Sequence, residues 1–292
     1  MATTAGLGTA DRAVGSRLGA GVVALIWAVF FFGIIDFLVA IIPSEFPDFM
    51  RFVVLETSWG LLYTFLLPVP LIAWAVRPVG WVGPQVAGIA VAVLVAGIAA
   101  PAWGQLFVAL LVAASAAFPR MWRPAPRWSL SRPLVTPAFW PVDALVALAM
   151  GAALLHAWDV LGAARRGVRD DDTWYLMHLP MQAGFALAVP VAAAVAVLAL
   201  ANQVPGWWFA ILPPAGCAMW FGVVSARYPE VVGSLGELLG LCVAGWGVAV
   251  AVALWGTGLW ATHSVVKGER SSRYGWIAAS HRRHRLRSRQ GQ

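Results

Sequence analysis

The chain has 292 residues, of which 61% are hydrophobic and only 11% are charged, and its formal net charge is +7. Soluble domains carry about 25% charged residues, so this composition excludes an ordinary soluble globular protein. With a mean hydropathy of +0.77, the chain is predicted to lie in a lipid bilayer.

A helix that crosses a bilayer needs about 20 mainly apolar residues. Eight such segments follow one another along the chain, near 18–42, 52–76, 81–99, 101–118, 137–158, 177–200, 206–226 and 235–262. The sequence therefore predicts an all-α fold, a polytopic membrane helical bundle. Its transmembrane domain covers 18–262, between a cytoplasmic N-terminal segment at 1–17 and a basic cytoplasmic tail at 263–292.

Lysine and arginine are concentrated on one side of these segments. All but five of the 20 lie in the N-terminal segment, in the loops after the second and fourth segments, or in the tail; the five are Arg51, Arg165, Arg166, Arg169 and Arg227. Cytoplasmic loops carry an excess of basic residues, so both termini are predicted to be cytoplasmic in a multi-pass protein of the cell membrane. The tail is expected to bind the anionic leaflet of the bilayer and no nucleic acid.

The first two segments place acids inside the membrane. With this orientation, Asp36 lies in the outer third of the first segment, Glu56 near the outer face of the second and Tyr63 near its middle. A charge at membrane depth costs about 2.5–3.5 kcal/mol on insertion scales, so it usually faces a partner or a cavity. Helical spacing places Trp59 and Gly60 on the same face as Glu56 and Tyr63, and Gly60 is expected to leave an open notch there.

Later segments add polar groups at the same level. His156 and Asp159 come at the end of the fifth segment, His178 and Gln182 at the start of the sixth, and Glu237 at the start of the eighth. One interpretation is a shared polar site on the outer side. The alternative is a set of hydrated, structural residues at the membrane interface.

Tryptophan is abundant, with 17 in the chain, and many of these residues fit the interfacial belt of a membrane protein. Trp59, Trp174 and Trp220 are candidates for a pocket in which ring faces stabilise positive charge. Burial disfavours the charged form of a carboxyl group, which can then act as a general acid. An acid beside aromatic faces suits the protonation of an alkene or epoxide in a lipid-like polyprenyl substrate.

A short stretch of the second segment, SWGLLYTFLLP, resembles a motif of the integral membrane terpene cyclases of fungal meroterpenoid pathways. That second-helix motif reads roughly Trp-Glu-x-x-Tyr-Thr-x-x-x-Pro. Trp59, Tyr63, Thr64 and Pro68 match it, whereas Gly60 stands at the position of the motif's glutamate. Bacterial membrane cyclases of farnesylated indoles are a more distant comparison.

The resemblance implies a terpene cyclase that acts on a prenylated small molecule within the bilayer, with neither a cofactor nor a metal. Glu56, one helical turn from Gly60, is the candidate acid. The candidate catalytic residues are Glu56, Asp36, Tyr63, His178 and Asp159, and the candidate substrate-binding residues are Trp59, Gly60, His156, Trp174, Gln182, Trp220 and Glu237.

Other interpretations are also compatible with the sequence. The outer Asp, Glu and His residues suit a transporter that binds a proton or cation, or an accessory membrane protein without catalysis. His156, Asp159 and His178 are spaced so that they could hold a catalytic zinc ion in a membrane hydrolase. The acidic run at 170–172 could hold a magnesium-bound diphosphate, or it could be a solvated loop.

Overall fold

The computed structural model describes residues 4–42, 50–122, 139–170, 172–173 and 176–259. The chain forms two compact units, Met1–Leu254 and Trp255–Gln292, and the first contains the candidate site. Of the second unit, only the end of the last helix is described. Trp174 and the predicted basic tail at 263–292 lie outside the described residues.

The described residues are mostly helical. The helices are α1 Thr4–Leu25, α2 Gly33–Val39, α3 Val53–Leu61, α4 Pro68–Val76, α5 Val82–Ala99, α6 Trp103–Trp122, α7 Trp140–Arg165, α8 His178–Ala201, α9 Trp207–Ala210, α10 Leu212–Arg227 and α11 Gly236–Leu259. Two π-helical turns, Ile26–Phe30 and Leu62–Leu66, follow α1 and α3. A short antiparallel hairpin of β1 (Asp172–Thr173) and β2 (Leu176–Met177) joins α7 to α8.

Six helical stretches of the described chain are long and apolar enough to cross a membrane. They are Val53–Val76, Val82–Ala99, Trp140–Arg165, His178–Ala201, Trp207–Arg227 and Gly236–Leu259. They match six of the eight predicted segments. The other two correspond to shorter apolar helices, Val14–Phe30 and Trp103–Ala116. The structure therefore confirms a helical fold with helices long and apolar enough to cross a membrane, but not the count of eight.

The first predicted segment is not one continuous helix, which corrects the expectation for 18–42. After the π-helical turn, Phe32 takes a left-handed conformation with φ of 58°, and α2 starts at Gly33. A residue other than glycine held there costs on the order of 1–3 kcal/mol, so surrounding contacts must hold it in place. The second segment also changes its winding: Leu67 N–H donates to the Leu62 carbonyl just before Pro68, which lacks an N–H and cannot continue a regular ladder.

Polar side chains close several helix ends. Arg17 donates to the carbonyls of Ala75 (2.7 Å) and Val76 (2.6 Å) at the end of α4. Arg165 donates to the Ala99 carbonyl (2.9 Å) at the end of α5. Carbonyls at a helix C-terminus have no helical donor, and a cation also interacts favourably with the helix dipole there.

Gln85 joins three helices in the buried interior. Its amide nitrogen donates to the Ala192 carbonyl (3.1 Å) on α8 and the Ala210 carbonyl (2.8 Å) on α9. Pro214, four residues after Ala210, has no N–H to offer that carbonyl. The glutamine side chain therefore replaces a donor that the backbone cannot supply.

The helices differ in how much of their surface is covered. In the most apolar stretch of α8, 78% is buried inside the protein, whereas the buried share of the corresponding stretch is 17% for α7 and 28% for α11. The α8 helix therefore lies at the centre of the bundle, and α7 and α11 lie at its periphery.

At the close contact of α10 with α11, a Cβ on Gly240 would lie 2.7 Å from Ala226 N, so only a small residue fits.

Candidate functional site

The predicted face of α3 is buried along its length. Glu56 is 3% exposed, Trp59 and Tyr63 are at most 1% exposed, and Gly60 is also buried. The neighbouring hydroxyl of Thr57 donates to the Val53 carbonyl and so needs no partner on another helix. This face is packed into the bundle and does not lie at a hydrated interface.

Glu56 and His178 form the centre of the candidate site. Glu56 Oε1 lies 3.7 Å from His178 Nε2, and both side chains are almost fully buried. His178 reaches this position because it is the first residue of α8, directly after the β-hairpin. The pair is an ion pair only when the imidazole is protonated, so its charge state changes with proton uptake.

Trp59 links this pair to the break in the first helix. Its ring centroid lies 4.4 Å from that of His178, with 31° between the planes. Its indole N–H donates to the Phe31 carbonyl over 2.7 Å. The residue that follows Phe31 has the left-handed conformation, so the indole contacts the chain where the first helix is interrupted.

Aromatic rings surround Tyr63 on three sides. Trp27 is stacked on it at 5.4 Å with 5° between the planes, Phe31 lies at 5.3 Å, and Trp59 meets it edge to face at 5.1 Å. The phenol hydroxyl donates to Met181 Sδ over 3.3 Å. Aromatic faces in a dry environment can stabilise a positive charge by about 2 kcal/mol or more, but here they are packed on one another.

The notch predicted at Gly60 is filled, which corrects the expectation of an open space. A Cβ on Gly60 would lie 2.7 Å from Phe37 Cα and 2.8 Å from the Asp36 carbonyl carbon. The contact is reciprocal, because a Cβ on Gly33 would lie 2.8 Å from Tyr63 Cβ. Two glycines thus let the backbone of α2 approach α3 and the π-helical turn after it closely, as small residues do in membrane helix pairs.

Gln182 is buried one turn after His178 and contacts a loop. Its amide nitrogen donates to the Gly233 carbonyl (2.8 Å) in the connection between α10 and α11, while Oε1 is buried without a hydrogen-bond partner among the described residues. Gly233 has a φ of 79°, and a side chain there would collide with Gln182. This glutamine therefore holds the loop against the N-terminal end of α8.

The remaining predicted residues do not all join the Glu56–His178 pair. Asp36 is 7% exposed on α2, and its backbone lies beside Gly60. Asp159 and Glu237 have exposed side chains on α7 and α11, so the structure does not bring them into the buried cluster.

Two further predicted residues belong to neighbouring contacts. His156 is half-buried on α7 with its ring 6.1 Å from Phe221, and its Nε2 has no hydrogen-bond partner among the described residues. Trp220 packs on Phe37 at 5.8 Å. They therefore flank the candidate site.

The zinc hypothesis is not supported. No three His, Cys, Asp or Glu side chains converge as a metal site anywhere in the described ranges. His156 packs on Phe221 of α10, whereas His178 contacts Glu56 and Trp59. In the acidic run, the Asp170 carboxylate accepts from Leu179 N–H (3.0 Å) near the start of α8, which is a structural role.

A groove of about 280 Å³ opens between α5 and α6, away from the predicted residues. It is lined by Ala87, Ala90, Val91, Leu94, Ala109, Leu110, Ala113 and Ala116. These side chains are all apolar and offer no group for acid–base chemistry.

Sequence reasoning missed three partners of the site: the Phe31 carbonyl, Gly33 and Met181. Helical spacing places residues on one face of one helix, but it does not identify the second helix that covers that face. The break at Phe32 brought both Phe31 and Gly33 into place. A weak signal was available in the glycine directly after three consecutive phenylalanines.

The fold and site define a helical protein with several helices able to cross a membrane and a buried carboxylate–imidazole pair. No protein family matches the chain, and no curated protein or solved structure does so either.

Proposed function

We propose that the chain is an integral membrane terpene cyclase, in which the Glu56–His178 pair protonates a prenylated substrate. The observation that carries the proposal is this pair, buried at 3.7 Å beneath the Trp59 ring. The proposal includes eight spans, with both termini in the cytoplasm of a cell-membrane protein. The distribution of lysine and arginine supports this orientation.

The pair has the groups needed for acid–base chemistry. In the neutral form of the site, the Glu56 carboxyl group gives its proton to a terminal alkene carbon or an epoxide oxygen of the substrate. A carbocation forms and the ring closes. The cyclised carbocation then loses a proton to give the neutral product, and return of that proton to Glu56 restores the starting state of the site. His178 accepts that proton and passes one back to Glu56, so substrate and product are isomers; the 3.7 Å distance between the two side chains supports this role.

The aromatic residues beside the pair support the same reaction. Trp59 contacts His178, and Trp27 and Phe31 contact Tyr63. Ring faces stabilise a carbocation without attacking it, whereas water would quench it. Because these rings now pack on one another, substrate binding must separate them.

A cyclisation assay tests the proposal directly. The protein in lipid nanodiscs is incubated with farnesyl-indole and with an epoxidised prenyl arene, and products of unchanged mass are sought by chromatography and mass spectrometry. Glu56→Gln is expected to lower the rate by about 10²–10⁴-fold, since it removes the general acid. Asp143→Asn is the matched control, because Asp143 lies in the first turn of α7. Full activity in Glu56→Gln overturns the acid assignment, and no product with wild type refutes cyclisation of these substrates.

Proton-coupled transport is the second candidate. It is favoured by one observation, the interruption of the first helix at Phe32, one turn before the buried Asp36. Discontinuous membrane helices beside ion sites are typical of secondary transporters. Proteoliposomes with a pH gradient should then show solute or proton flux that Glu56→Gln abolishes, and an absence of gradient-dependent flux counts against this candidate.

A further inference from the structure

We propose that α2 is a lateral gate through which an apolar molecule dissolved in the bilayer reaches Glu56. The identity of that molecule as a prenylated substrate rests on the proposed function. The route is a separate claim, because it concerns which side of the site opens.

The α2 helix covers Gly60 of α3, one turn from Glu56, and Tyr63 of the π-helical turn that follows. Its backbone lies against Gly60, and Gly33 lies against Tyr63. Its opposite face is apolar and exposed: Ile34, Ile35 and Leu38 are 40%, 56% and 37% exposed. In a membrane, such a face lies against lipid, so one short helix separates the candidate site from the acyl chains.

The connection to α1 is suited to a hinge. Phe32 has a left-handed backbone, and only the seven residues Gly33–Val39 follow as α2. Interrupted helices change direction at such positions because the regular hydrogen-bond ladder is absent there. A rotation at Phe32 would lift α2 from Gly60 while α1 stays in place.

Trp59 is placed to act as the latch of this gate. Its indole N–H holds the Phe31 carbonyl (2.7 Å), and the same ring lies on His178. Release of this hydrogen bond frees the hinge at Phe32. Because the same indole ring lies on His178, the release also changes the surroundings of the His178 imidazole. Opening of the gate is therefore coupled to the acid–base pair.

The end of the bundle next to Glu56 and His178 is closed by apolar packing. Phe52, Leu55, Val160 and Leu179 form a buried cluster there, and Val232 of the loop before α11 packs against it. The hydrogen bond from Gln182 to Gly233 holds that loop down. An apolar layer thus covers this end of the site, while on the α2 side a single helix lies between the site and lipid.

A cysteine beneath α2 can report the opening without altering the acid–base pair. Thr64 Oγ1 is buried, and a Cβ added to Gly33 of α2 would lie 2.8 Å from it. Thr64→Cys is introduced in a Cys217→Ala/Cys242→Ala background, and the protein is reconstituted in nanodiscs. Labelling rates are then measured with pyrenyl-maleimide, which enters the bilayer, and with a charged methanethiosulfonate, which stays in water.

Trp59→Phe keeps an aromatic ring but removes the latch hydrogen bond, and it is expected to raise the pyrenyl-maleimide rate about fivefold while the charged reagent stays slow. Trp246→Phe is the matched control. It loses an indole hydrogen bond to a backbone carbonyl, that of Leu145 (2.9 Å), and its rate should equal that of the parent. Equal rates in the two variants, or faster labelling by the charged reagent, overturn the lateral gate. Neither rate depends on catalysis, so a failed cyclisation assay refutes the proposed function alone.

Discussion

Substitution of Gly60 by alanine tests the close contact that brings α2 onto the candidate site. The added Cβ would lie 2.7 Å from Phe37 Cα, whereas carbon atoms in contact are about 3.5–4.0 Å apart, so the helices must separate by roughly 1 Å. Overpacking of this kind costs about 1–3 kcal/mol. At roughly 2–4 °C per kcal/mol for 150–250 residues, Gly60→Ala should lower the apparent Tm by about 2–12 °C.

The measurement is thermal unfolding of the purified protein in detergent, followed by tryptophan fluorescence at one fixed scan rate. Gly216→Ala is the control, because Gly216 lies within α10 and nothing stands within 4 Å of its missing Cβ. Alanine there should be neutral or stabilising by up to about 1 kcal/mol, owing to its higher helix propensity. If both variants unfold at the same temperature, the backbone contact between α2 and α3 is refuted.

Three further predictions concern the pair, the interior and the thiols. In a double-mutant cycle, Glu56→Gln and His178→Gln should be non-additive in unfolding free energy by about 0.5–3 kcal/mol, and additive losses would show that the side chains do not interact. Gln85→Leu leaves two buried carbonyls without this donor and should destabilise the protein by about 1–3 kcal/mol in denaturant titrations; an unchanged midpoint would contradict the role given to the amide. Of the two cysteines, Cys242 is exposed and Cys217 is buried, so a lipophilic maleimide should label one thiol per folded chain and two after denaturation, and two from the start would contradict the packing of α10.

Much of the fold could be predicted because hydropathy alone identifies long apolar helices. The span predicted at 177–200 is found at His178–Ala201, since a continuous apolar run of that length has few other stable solutions. The interruption at Phe32 could not be predicted in this way. A left-handed phenylalanine is unfavourable locally, and tertiary contacts such as the Trp59 indole on the preceding carbonyl accompany it.

The proximity of Glu56 and His178 could be predicted from the sequence, but the rotation of each helix about its own axis could not. Sequence position placed Glu56 and His178 at one level of the membrane, and the structure brings them together. The same reasoning placed Asp159 and Glu237 at that level, yet both side chains are exposed. Their helices, α7 and α11, are apolar around most of their circumference, so no hydrophobic stripe indicates which face turns inward.

Arg17 has a consequence for how the chain is assembled in the membrane. Its guanidinium group holds the carbonyls of Ala75 and Val76, which are synthesised 58 and 59 residues later. While the first helix is being made, these two carbonyls do not yet exist, so the hydrogen bonds cannot form. Once the second span is complete, the same charge fastens the two segments together. The contact between the start of the chain and the end of α4 therefore forms only after both helices have been made.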